Sequence, residues 1–129
     1  MHGHSCRPNQ PCVRICTWHL RTCGTTWIMA TSSSYKPTCA LVTGASRGLG
    51  LALVRDLATT VPSCTVLLAA RSPDAARCAS AALAREGLHH NVRGCVLDVS
   101  DARSVATFAR QYDDIDLLIN NAAVCPTGW

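Results

Sequence analysis

The chain has 129 residues, 48% apolar and 16% charged, the size and composition of one small globular domain with a core of its own. No run approaches the ~18–20 consecutive apolar residues of a membrane-spanning helix, so no spanning segment is expected. The formal charge of +4 lies wholly in residues 1–38, where Arg7, Arg14, Arg21 and Lys36 stand without an acid; residues 39–129 balance eight arginines with eight Asp and Glu, so the basic stripe that a nucleic-acid partner needs is not expected either.

Residues 1–37 mix Pro, Cys, Trp and His without a steady hydrophobic period and end in Thr31-Ser32-Ser33-Ser34, the pattern of a disordered leader. The apolar core of a secretory signal is missing. An Arg-bearing, acid-free leader fits a mitochondrial or plastid transit peptide. It also fits an extension upstream of a start at Met29, and this second reading, with a cytoplasmic location, is preferred. Of the nine cysteines, Cys6, Cys12, Cys16 and Cys23 fall in the leader, and Cys39, Cys64, Cys78, Cys95 and Cys125 stand singly in the rest. No C-x-x-C pair occurs, so the single cysteines read as small hydrophobes and no metal site is expected.

From residue 38 the pattern alternates strand and helix. Cys39-Ala40-Leu41-Val42 is a short apolar run ended by Thr43-Gly44, hence a buried strand. Residues 48–60 carry Leu49, Leu53 and Leu57 at a spacing of four, one face of an amphipathic helix stopped near Pro62. Residues 65–70 form a second strand. Residues 73–86 are Ala-rich, open on Pro73 and end at Gly87, the start and stop signals of a helix. A third strand spans 92–97. Ser100 can cap a helix running to about Tyr112, with Val105, Phe108, Ala109 and Tyr112 facing inward. Residues 115–119 are a fourth strand. Near-continuous apolar strands alternating with helices predict an α/β fold with a parallel, doubly wound, Rossmann-like sheet in strand order 3-2-1-4. The unit spans 38–124, with a short tail at 125–129. The outer edge of the fourth strand is expected to be open, exposing bare backbone groups that could pair with another chain.

The strongest motif is Thr43-Gly44-Ala45-Ser46-Arg47-Gly48-Leu49-Gly50, set directly after a buried strand and opening a helix, the context of a dinucleotide fingerprint. Gly44 permits the tight turn, Gly48 lets backbone approach a pyrophosphate, and Gly50 lets helix and strand pack closely. Free N–H groups and the positive end of the helix then hold the phosphates. An NAD site places a carboxylate about 20 residues further on for the ribose 2′-hydroxyl. Residues 69–72 hold no acid; Arg71 stands there, and Arg47 projects from the glycine loop. Guanidinium groups grip a 2′-phosphate, so NADP(H) is favoured over NAD as cofactor.

The spacing T-G-x-x-x-G-x-G resembles the short-chain dehydrogenase/reductase family, and Arg71, Asp98-Val99 and Asn120-Asn121-Ala122-Ala123 agree with the family at the ends of the next three strands. The resemblance covers residues 38–124. It implies that Gly44, Ser46, Arg47, Gly48, Leu49, Gly50, Arg71, Asp98, Val99, Asn120, Asn121 and Ala122 surround the cofactor, with Asp98 on the adenine amino group and the asparagines bracing the sheet and lining the ribose. Ala123 replaces the usual glycine of that last motif. The family's reducing pair is a tyrosine followed four residues later by a lysine. Here Tyr112 is followed at that position by Asp116, Tyr35 by Cys39, and Lys36 is the only lysine. No catalytic residue is therefore assigned. The expectation is the cofactor-binding part of an oxidoreductase acting on carbonyl or hydroxyl compounds, truncated and inactive alone; the alternative is a non-catalytic nucleotide-binding or interaction module.

Overall fold

The structure is a computed structural model that describes residues 14–16 and 36–123. Its elements are β1 (Arg14–Cys16), β2 (Cys39–Val42), α1 (Gly48–Thr60), β3 (Thr65–Ala70), α2 (Pro73–Arg85), β4 (Val92–Val96), α3 (Ala102–Gln111) and β5 (Leu117–Ile119). The strands form one parallel sheet in the order β1-β5-β2-β3-β4. The expected order 3-2-1-4 is thus found as β4-β3-β2-β5, with β1 added beyond it.

Successive strand residues point to opposite faces, and this divides the core in two. Ala40, Val42, Val66 and Leu68 meet Val54 and Leu57 of α1 and Leu83 of α2 on one face. Cys39, Leu41, Leu67 and Ala69 meet Phe108 of α3 on the other. Every residue of β2 is buried, which explains why strands covered on both faces read as continuous apolar runs.

Local signals place most helix ends. The Ser72 hydroxyl accepts the Ala75 N–H at 3.2 Å, and Pro73 occupies the first turn of α2. At α3 the expectation needs correcting. Asp101, not Ser100, is the cap, its carboxylate accepting the Arg103 N–H at 2.9 Å, while the Ser100 hydroxyl donates to Asp98. The expected inward face of α3 is also only partly buried: Phe108 is covered, Val105 is 42% exposed, Ala109 is exposed and Tyr112 half-buried. Among the described residues α3 is the only helix on its side of the sheet. Beside it runs an open apolar groove of about 600 Å³, bordered by Leu41, Leu97, Phe108, Tyr112, Ile115 and Leu118.

Within the leader, residues 14–16 form a strand that the sequence reading did not place. β1 pairs Arg14 with Leu117, Ile15 with Leu118 and Cys16 with Ile119, so the edge of β5 expected to be open carries a neighbour. The rest of the expected leader (1–13 and 17–35) and the tail at 125–129 lie outside the described residues. No helix among the described residues is long and apolar enough to cross a membrane.

Asp116 joins the start of β5 to the start of β2. Its carboxylate accepts the Thr38 N–H at 2.9 Å, the Thr38 hydroxyl at 3.0 Å and the Cys39 N–H at 3.2 Å. Hydrogen bonds to a charged group contribute roughly 1.5–3 kcal/mol. Asp116→Ala should accordingly lower the urea midpoint by an amount equivalent to about 2 kcal/mol with the m-value unchanged.

Candidate functional site: a dinucleotide cleft at the carboxyl end of the sheet

In a parallel sheet all carboxyl ends lie on one side, and a ligand crevice opens where the strand order reverses. The reversal here falls between β2 and β5. From β2 the chain steps outward to β3 and β4, and then returns to the other side of β2 as β5. The expected site residues lie at these carboxyl ends: residues 44–50 after β2, Arg71 after β3, Asp98 and Val99 after β4, and residues 120–122 after β5.

The glycine loop is built by contacts about 77 residues apart in sequence. The buried Thr43 hydroxyl accepts the Asn121 N–H at 3.0 Å and the Ala122 N–H at 3.1 Å. The Asn121 amide nitrogen donates to the carbonyls of Thr43 at 3.0 Å and Gly44 at 3.1 Å. On the other side the Ala45 N–H reaches the Ala69 carbonyl at 2.9 Å. Both strands flanking β2 therefore hold the loop.

Gly44 has φ +63°, the left-handed region, and a Cβ there would also stand 2.8 Å from the Ala122 Cα. The turn admits no side chain at this position. Gly50 serves a closer approach than the helix-on-strand packing expected of it. Its Cβ would lie 2.5 Å from the Asn121 Nδ2, 2.6 Å from the Gly44 carbonyl oxygen and 2.8 Å from the Ala45 Cα, so it admits the loop's own backbone and the asparagine that braces it. Gly48, at φ +57°, faces open space, which leaves room for a ligand.

Helix α1 starts at Gly48. Its cap residue, Arg47, makes no side-chain cap bond, and no acid stands in the first turn. The first backbone N–H groups of a helix lack intrahelical partners, so a positive, unneutralised helix end faces the cleft, suited to an anion. Ser46 is half-buried and Arg47 exposed; Leu49 is 61% exposed.

Arg71 is exposed just past β3. Asp98 accepts the Ser100 hydroxyl at 2.6 Å and N–H at 2.9 Å. These bonds, with the Arg71 charge beside it, hold its carboxyl below the ordinary value of 3.8. The stabilisation is present above that value and is lost as pH falls through the lower folded-state value. Arg71 and Asp98 thus share one rim of the cleft. Asn120 is exposed, Asn121 is half-buried against the loop and Ala122 packs on Gly44. Ala123 is exposed, so its methyl does not crowd the loop.

The sequence reading did not identify Thr43 as a brace or Asp116 as a tie. Both stand in the recognised stretches, but their partners are distant in the chain. Among the described residues no cluster of His, Cys, Asp and Glu could hold a metal. Nor do the cysteines of the core suit nucleophilic work: burial pushes Cys39 up to about 11 and Cys95 up to about 12, and raises Cys64, whereas the attacking species is the thiolate. A thiol reagent at pH 7.5 should modify exposed Cys78 and leave Cys39, Cys64 and Cys95 untouched until denaturant is added, as read by mass mapping.

Comparison with known proteins agrees with the geometry. A profile described as short chain dehydrogenase matches residues 38–128. Carbonyl reductase [NADPH] 1 of Macaca fascicularis is 39% identical over 89 residues, covering 66% of this chain and 31% of that protein. Among solved structures, the menthone neomenthol reductase of Mentha piperita aligns with TM-score 0.62 and 31% identity over 70% of this chain and 33% of that one. An NADPH-bound short-chain oxidoreductase from Pseudomonas aeruginosa PAO1, described as having an atypical catalytic centre, aligns with TM-score 0.59 and 33% identity over 67% of this chain and 35% of that one. The chain spans about a third of the length of these relatives. With the glycine loop at the switch point and the family profile over most of the chain, this protein belongs to the short-chain dehydrogenase/reductase family of oxidoreductases.

Proposed function

We propose that this chain is an NADP(H)-binding unit of an oxidoreductase acting on carbonyl or hydroxyl compounds, and that it performs no turnover alone. One observation carries the reading. The acid-free, uncapped start of α1 opens into a glycine turn at the switch point, and the cleft rim past β3 offers Arg71 where a carboxylate would repel a 2′-phosphate. NADPH in the names of the macaque and Pseudomonas relatives supports it.

The residues present fit the dinucleotide. The free N–H groups of the first turn of α1 would hold the pyrophosphate, and the open face at Gly48 would let it come close. Arg47 and Arg71 would take the 2′-phosphate, and Asp98 and Val99 would border the adenine. Asn120 would border the ribose, while Asn121, its amide nitrogen engaged by the loop, would act by keeping the loop in shape. When bound, the cofactor supplies a hydride at its nicotinamide ring.

Reduction of a carbonyl further needs a proton source within reach of the new alkoxide. Tyr112 does not provide it. It packs on Phe108 with ring centroids 4.5 Å apart, and burial raises its pKa above the tyrosine norm, opposite to what a proton donor at neutral pH needs. The only lysine is Lys36, before β2.

Calorimetry is expected to give micromolar affinity for NADP(H), weaker affinity for NAD(H), and no NADPH oxidation with a panel of aldehydes and ketones. Absence of NADP(H) binding by the folded chain would sink the reading, and NADPH consumption would sink its claim of no turnover. The second reading, a non-catalytic nucleotide-binding module, is favoured by β1 on the sheet edge.

A further inference from the structure

We propose that Ser100 and Ser104 are positioning residues for the adenine side of the cofactor. Together they hold Asp98 so that a single carboxylate oxygen, Oδ2, is left to read the 6-position of the purine. This rests on the cofactor reading above, which sets Asp98 beside the adenine; the two serines lie outside the residues assigned there.

Asp98 lies in the connection 97–101, between the end of β4 at Val96 and the start of α3 at Ala102. Its polar atoms are engaged with one exception. The N–H donates to the Ser104 hydroxyl oxygen at 3.0 Å, and the carbonyl accepts the Asp101 N–H at 3.2 Å. Oδ1 accepts twice, from the Ser100 N–H at 2.9 Å and the Ser100 hydroxyl at 2.6 Å. Among the described residues no group donates to Oδ2.

The start of α3 does not require these serine bonds. Asp101 already caps the helix by accepting the Arg103 N–H at 2.9 Å. Ser104, in the first turn of α3, reaches back past that cap to the peptide of Asp98. Fixing this N–H fixes the backbone from which the side chain leaves. The two Ser100 bonds then fix the rotation of the carboxylate, a torsion that is otherwise broad. On the other side the Leu97 N–H donates to the Ala70 carbonyl at 2.8 Å, which brings Asp98 to the rim where Arg71 follows β3. The Arg71 charge helps to keep the carboxyl ionised.

An ionised carboxylate only accepts hydrogen bonds. Adenine carries an amino donor at its 6-position, whereas a purine with oxygen there presents an acceptor. A fixed Oδ2 therefore favours adenine and opposes hypoxanthine. A carboxylate free to turn discriminates less, because it can swing away from the opposing oxygen.

Calorimetry on the full chain tests this, with NADPH, its hypoxanthine analogue and NADH as probes. The native chain should bind NADPH about tenfold or more tighter than the hypoxanthine analogue, as expected of a hydrogen bond to a charged group. Ser104→Ala should shrink that ratio about threefold or more, the loss of one neutral hydrogen bond, while the NADPH-to-NADH ratio set at Arg71 stays as it was. Ser104→Thr keeps the hydroxyl and should keep both ratios. Asp98→Asn should reverse the base preference. Ser100 would hold the amide oxygen in place of Oδ1, so that the amide nitrogen takes the place of Oδ2 and donates to the hypoxanthine oxygen.

An unchanged base ratio in Ser104→Ala, even with all three dinucleotides weakened together, would overturn the proposal. So would an adenine preference retained in Asp98→Asn. Equal affinity of the native chain for the two bases, with NADPH still ahead of NADH, overturns the proposal and leaves the cofactor reading intact. No NADPH binding at all removes both. If Ser104→Ala does not fold, Ser104→Val against Ser104→Thr, alike in shape and different in the hydroxyl, makes the same comparison.

Discussion

Gly50→Val is expected to weaken NADP(H) binding by at least about tenfold and to cost about 1–3 kcal/mol of stability, the range of overpacked sites in which backbone must move. Two of the atoms its Cβ would strike, the Gly44 carbonyl oxygen at 2.6 Å and the Ala45 Cα at 2.8 Å, belong to main chain. The third, the Asn121 Nδ2 at 2.5 Å, is the donor that keeps the loop closed through Thr43 and Gly44. Relieving the clash opens the turn that aims the start of α1 at the cleft, so binding and stability fall together. Gly48→Ala makes the contrast: a Cβ at φ +57° meets no neighbour, so stability falls only by the left-handed penalty of about 1–2 kcal/mol, while the methyl takes up the open face left for the pyrophosphate and should weaken NADP(H) binding without opening the turn. Calorimetric titration with urea denaturation of the same samples checks both. Unchanged NADP(H) affinity in a folded Gly50→Val protein would refute the loop's role.

Exchanging Arg71 for a carboxylate tests the cofactor choice. A charge-assisted bond to phosphate contributes roughly 1.5–3 kcal/mol, and 1.4 kcal/mol is a factor of ten. Arg71→Asp should therefore weaken NADP(H) about ten- to a hundredfold and weaken NAD(H) little or improve it, narrowing or reversing the preference. Arg71→Ala, which adds no charge beside Asp98, should show the loss without the gain. For the native chain the NADP(H) advantage should shrink with added salt, since an exposed guanidinium is screened over a Debye length of about 8–10 Å at ordinary ionic strength. Equal losses for the two dinucleotides would show that Arg71 does not read the 2′-phosphate.

Much of the fold is legible along the chain because its signals are local. β2 and β3 fall on the expected runs, and α1 and α2 begin at the expected glycine and proline. The glycine spacing marks the site for the same reason: a turn and a helix start are set by neighbours. Helix α3 shows where local signals compete. Ser100 and Asp101 are both able caps, and Asp98 decides between them by taking the serine hydroxyl for itself. β1 left a local trace, the alternation of β-branched residues at 13, 15 and 17, but three paired residues amid Pro, Cys and Trp make no sustained period.

By itself, then, the amino-acid order determined the βα alternation, the parallel sheet and the place of the phosphate turn, because hydrophobic period and glycine conformation act over a few residues. Tertiary structure alone decided that Asn121 and Thr43 brace that turn, that Asp116 ties β5 to β2, that α3 stays half-uncovered, and that residues 14–16 occupy the edge of β5. The braces, the tie and the strand pairing join residues 77 or more apart in sequence, and such partners become definite only when the strands stand side by side.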